Sequence, residues 1–226
     1  PSSHFISAFY LCIILTLPFI SFNRNPDLMH DPYFFAQSTG FLDGFQIHKD
    51  IYSAYGPLVP WLIAIMIKLT GEYLIVVRIL GLICTYLTCI FLYILIRKNL
   101  SANISLFLTA LFISLSPERT EISSTRWMYG NGIWPTNLAV LLTLVAIYLI
   151  TCIFQSKPIK FSNGAKIYCL SFCLTGLIFT RIQGLLTFTI FCVFCIIFSF
   201  SKNFSAKRVL QLIYLGILSS LIPLLM

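Results

Sequence analysis

Apolar residues in this chain come in long unbroken blocks. Residues 5–22, 74–96, 102–115, 134–154 and 185–200 are nearly free of charge. A helix needs roughly 20 apolar residues to cross the hydrocarbon core, and segments of about 10 to 14 suggest something shorter. Several blocks reach the longer length. Barrel strands would alternate over about ten residues, and these blocks do not alternate. In hydrocarbon the backbone must satisfy its own hydrogen bonds, which leaves the helix. The pattern therefore predicts an all-α, polytopic transmembrane protein.

Composition agrees with that reading. Of 226 residues, 58% are hydrophobic and 10% charged, against about 25% charged in an ordinary soluble domain. The formal charge of +8 does not point to nucleic acid, because its distribution follows topology. Arg97 and Lys98, then Lys157, Lys160 and Lys166, then Lys202, Lys207 and Arg208 fall in three short loops without an acidic residue. Short basic loops face the cytoplasm. On that basis 5–22 leads outward to a long external loop, 23–71, and 74–96 returns. Segment 102–115 leads out to a second external loop, 116–133, and 134–154 returns. Segment 167–180 goes out, 185–200 comes back, and 209–226 starts outward again, giving about seven spans. Residues 5–22 lack a basic leader and a small-residue cleavage site, so they read as an uncleaved span. The chain reads as one transmembrane domain, 1–226, belonging to a longer protein whose C-terminal part lies beyond it.

All seven carboxylates, Asp27, Asp31, Asp43, Asp50, Glu72, Glu118 and Glu121, fall on the external side of this path. Acidic residues contribute little to orientation, so their segregation points to a working surface there. Within the first external loop, residues 31–45 read as an amphipathic helix. Asp31 would be its cap and Pro32 its first-turn proline. Phe34, Phe35, Phe41, Leu42 and Phe45 would lie against the bilayer surface. Tyr55, Gly56 and Pro57 form a turn, and 58–69 is a second short apolar helix, interfacial or re-entrant, that ends near Gly71. The eight cysteines (Cys12, Cys84, Cys89, Cys152, Cys169, Cys173, Cys192 and Cys195) sit in apolar spans and read as small hydrophobes.

The ordered set His30-Asp31-Pro32, Ala36 to Gly44, Asp50-Ile51-Tyr52, Gly56-Pro57-Leu58, Gly71 and Arg78 resembles the first external loop of GT-C fold membrane glycosyltransferases. Those enzymes use polyprenyl-phosphate sugars and include aminoarabinose transferases and protein O-mannosyltransferases. The resemblance covers about fifty-five residues, 25–80, and makes 1–226 the N-terminal module of such an enzyme. It implies a glycosyltransferase in a bacterial inner (cytoplasmic) membrane, with its active site on the external, periplasmic face; an endoplasmic reticulum placement would use the same topology. The donor would be a polyprenyl-phosphate sugar and the acceptor a glycan, lipid or protein. Membrane lipid would surround the protein, no nucleic acid would be bound, and no cofactor would be required.

In that resemblance Asp31 is the general base that deprotonates the acceptor hydroxyl, and capping its helix is a compatible role. Partial desolvation at an interface makes a carboxylate a better base. Arg181, at the external end of its span, suits phosphate oxygens through its planar fork, with snorkelling to lipid headgroups as the alternative. Arg78, one turn into its span, suits the donor phosphate or an ion pair with an external carboxylate. Glu118 or Glu121 offers a second carboxylate for the acceptor, or begins an ordinary helix after Pro117. Asp50, Tyr52 and Tyr55 support the loop. His30 and His48 lie near Asp31 and Asp50, but no metal-ligand spacing joins them, so a divalent metal is not favoured. A transporter or lipid flippase, or a non-catalytic membrane subunit, is the rival reading.

Overall fold

The computed structural model describes residues 3–22, 30–53, 55–114, 135–155 and 162–180. Seven helices run through them: α1 (Ser3–Phe22), α2 (His30–Leu42), α3 (Leu58–Thr70), α4 (Ile75–Arg97), α5 (Ala102–Ser114), α6 (Pro135–Gln155) and α7 (Ser162–Thr180). No strand occurs among the described residues, so the all-helical class holds there. Two helices, α4 and α6, are long and apolar enough to cross a bilayer. At 13 residues, α5 is about 20 Å long, short of a hydrocarbon core of about 30 Å. Residues 185–200 and 209–226 lie outside the described residues.

The chain divides into two compact units, Pro1–Leu141 and Leu142–Met226. In the first, α1 packs on α5 and α4, α4 on α5, and the α2–α3 pair on α4. Ile14, Cys89, Ala110 and Ile113 form a core cluster, flanked by Tyr10, Leu17 and Leu106. The Tyr10 and Phe107 rings meet at 5.4 Å. Polar bonds also join these helices. The Ser7 hydroxyl donates to Asn103 Oδ1, and the Tyr86 hydroxyl donates to the Leu15 carbonyl at 2.7 Å. Along the buried faces of α4 and α5 the hydroxyls bond back to their own helix: Thr85 to Gly81, Thr88 to Cys84, Ser105 to Ser101 and Thr109 to Ser105. Each of these hydroxyls thus has an acceptor within its own helix, one turn back. The opposite surfaces are apolar and exposed, with Phe5, Phe9, Leu15 and Phe19 on α1 and Ile83, Leu87 and Ile90 on α4.

In the second unit, α7 buries Leu170, Cys173, Leu174 and Leu177, a stripe at helical spacing. It starts at Ser162, five residues ahead of the apolar block, so Lys166 lies inside the helix. Backbone bonding carries a helix beyond its buried stretch; burial alone does not set its limits.

The segment between α1 and α4 departs from the sequence reading in two respects. The helix begins at His30, so Asp31 belongs to its first turn and is not its cap. Its apolar residues do not share one outward face: Phe34 is fully buried while Phe41 and Phe45 are exposed. The helix ends at Leu42, so Phe45 lies beyond it, and of the five apolar positions only Phe34 is buried. After α2 the chain stops in a two-bond cap. The Phe45 amide donates to the Gly40 carbonyl at 3.0 Å and the Gly44 amide to Phe41 at 3.1 Å. Gly44 takes φ +94°, the left-handed conformation this cap requires. A tight turn follows. The Gln46 carbonyl accepts the Asp50 amide at 2.8 Å, the Asp50 carboxylate accepts the Gln46 amide at 2.9 Å, and the His48 amide donates to Ile51 at 2.8 Å. Helix α3 buries Val59, Pro60, Ile63, Ala64 and Ile67 and ends on Gly71, at φ 100° and ψ 172°.

Candidate functional site

Helix α2 carries an unusual inward face. Asp31, Phe34, Gln37 and Ser38 are all buried, spaced three, six and seven residues from the first, which places them on one side of a 3.6-residue helix. Three of the four are polar. The opposite side, with Pro32 and Ala36, faces outward. A buried polar face of this kind is stable only where each group has a partner.

Those partners are visible for most of the face. The Ser38 hydroxyl donates to the Phe34 carbonyl one turn back, at 2.7 Å. Gln37 reaches out of the helix, and its Nε2 donates to the Tyr52 carbonyl at 2.8 Å. The buried Ser53 hydroxyl donates to the Tyr55 carbonyl at 2.9 Å, with Gln37 Oε1 as a longer acceptor at 3.5 Å. The Tyr55 ring lies 5.7 Å from Phe34, and Tyr33 meets Phe34 edge-on at 5.3 Å. On the outer side, Phe41 and Trp61 approach at 6.2 Å and tie α2 to α3. The segment after the tight turn is thus clamped to α2 by Gln37.

Asp31 is 1% exposed. Removing a carboxylate from water costs several kcal/mol unless charge or hydrogen bonds compensate, and groups held at that cost concentrate at functional sites.

The other candidate residues fall as follows. Arg78 is half-buried in the first turn of α4, a helix that contacts α2. Asp50 is exposed and closes its own turn. The Tyr52 ring is 81% exposed, while its carbonyl holds Gln37. Tyr55 is half-buried against Phe34. His48 sits at the tip of the tight turn with φ 73°. Arg181, Glu118 and Glu121 lie outside the described residues, as does Asp27. Among the described residues no three His, Cys, Asp or Glu side chains come together in a way that would hold a metal ion.

Gln37, Ser38 and Ser53 were not singled out by the sequence. For Gln37 and Ser38 the available signal was helical register with Asp31, three polar residues recurring on the face that also carries Phe34; Ser53, outside the helix, carried none. No protein-family model, curated protein or solved structure matches the chain.

Proposed function

We propose that this chain is a polytopic membrane protein of about seven spans that transfers a sugar from a polyprenyl-phosphate donor to an acceptor hydroxyl. The observation that carries the reading is Asp31, buried on a polar face of α2 in the loop ahead of the first long apolar helix. The exposed apolar surfaces of α1 and α4 support the membrane placement, since soluble proteins rarely expose large contiguous apolar patches. The path of basic and acidic loops supports an external site.

In this reading the acceptor O–H gives its proton to the Asp31 carboxylate as its oxygen attacks the anomeric carbon. The bond from that carbon to the phosphate oxygen breaks, and polyprenyl phosphate departs. A phosphate monoester has a second pKa near 6, so it leaves without an acid to protonate it. A single direct displacement inverts the anomeric centre. Arg78 and Arg181 would neutralise the phosphate, and the surrounding tyrosines offer faces on which a sugar stacks.

The test is transfer from a panel of radiolabelled polyprenyl-phosphate sugars in membranes carrying the protein, wild type against Asp31→Asn. Transfer that collapses in the variant at equal expression supports the reading. Transfer that survives moves the base to Glu118 or Glu121. Absence of transfer from every donor favours a transporter, a flippase or a non-catalytic subunit.

A further inference from the structure

A second polar feature lies away from Asp31, where α4, α5 and the start of α6 meet. A cavity of about 20 Å³ is lined there by Thr85, Thr88 and Cys89 of α4, Phe112 and Ile113 of α5, and Asn137 and Val140 of α6. All seven belong to the first unit. Asn137 is 5% exposed. Its Oδ1 and Nδ2 are both shielded from solvent and have no hydrogen-bond partner among the described residues.

A buried amide left unsatisfied carries a large desolvation penalty, so an exception of this kind calls for an explanation. The cavity supplies one. A water molecule needs about 10–15 Å³ of such space and two to four polar partners. The volume suits a single water molecule. Asn137 offers two donor hydrogens and an acceptor. The Thr88 hydroxyl already donates to Cys84 at 2.8 Å, so it presents its oxygen as an acceptor. Among the described residues the lining holds no carboxylate, and a bare cation there would lack compensation. A neutral molecule that both donates and accepts matches the wall.

The position adds meaning. Thr88 is nine residues from Arg97 and Ile113 eleven from Ala102, about 14 and 17 Å along their axes. Asn137, the third residue of α6, therefore meets α4 near its middle. The first turn of a helix holds amides with no intrahelical partner, here brought close to the centre of an apolar bundle.

We propose that this cavity is a binding site for one water molecule, held by the Asn137 amide and the Thr88 hydroxyl beside the middle of α4. The test uses the full chain in lipid nanodiscs with ¹⁵N-asparagine, the Asn137 side-chain signal being assigned by its loss in Asn137→Leu. A rotating-frame cross-peak between this amide and water, opposite in sign to the diagonal, is expected; exchange with bulk water gives the same sign as the diagonal. Val140→Leu, which adds a methylene to the cavity, should abolish the peak, and Val140→Ala should keep it. Amide protons that show only methyl contacts, or only an exchange peak, overturn the proposal. Unfolding gives a second readout. A hydrated site predicts that Asn137→Leu lowers the midpoint, and a dry one that relieving the stranded amide raises it. If Asn137→Leu does not fold, loss of the signal in Asn137→Ser supplies the assignment, and the wild-type and Val140 spectra decide.

Discussion

Gln37 Nε2 donates to the carbonyl of Tyr52 across fifteen residues of chain, at 2.8 Å. This bond fixes the segment after the tight turn against the polar face that carries Asp31. Replacing Gln37 by Leu removes the donor and strands the Tyr52 carbonyl. The expected cost is about 1–3 kcal/mol, read as a lower thermal unfolding midpoint in detergent. Limited proteolysis should also cut the 46–55 segment faster in the variant.

Gly71 occupies φ 100° and ψ 172°, a region essentially confined to glycine. A Cβ there would stand 2.9 Å from the Tyr73 ring. Gly71→Ala should therefore destabilise by about 1–3 kcal/mol, again read from the unfolding midpoint.

Gly40 provides the contrast. A Cβ on it would meet Ile51 Cδ1 at 2.7 Å, but that atom ends a flexible side chain. Alanine also favours a helix interior by about 1 kcal/mol. Gly40→Ala should change stability little, whereas Gly40→Leu should displace Ile51 and loosen the turn. Amide hydrogen exchange at His48, Asp50 and Ile51 would report the loosening.

The Tyr86 hydroxyl bonds the Leu15 carbonyl and links α4 to α1. Interhelical bonds in apolar surroundings are worth about 0.6 kcal/mol on average and up to about 1.7. Tyr86→Phe should lower stability within that range, and Ser38→Ala should cost less. The Ser38 hydroxyl only adds a second donor to a carbonyl within its own helix.

Helices driven by apolar blocks were legible from the sequence to within one or two residues at most ends, as with 74–96 against Ile75–Arg97. Their extent into polar sequence was not, because backbone bonds carried α7 back through Lys166. Asp31 stood out by charge and position, while its burial depended on the rotation of α2, which the scattered phenylalanines left undefined. Gln37 and Ser53 escaped notice because neither is charged, and only the bonds between α2 and the segment after the turn turned them inward. Asn137, uncharged within an apolar block, left the charge pattern undisturbed. Its isolation became visible only once α4 and α5 surrounded it.

The turn at 46–51 is closed by hydrogen bonds of its own backbone and of the Asp50 carboxylate. Lys49 is therefore displayed at its tip as a fixed chemical landmark. Acylation of its amine by a membrane-impermeant reagent in intact cells would report which face of the bilayer this segment occupies. Lys49→Arg would give the background against which that label is counted.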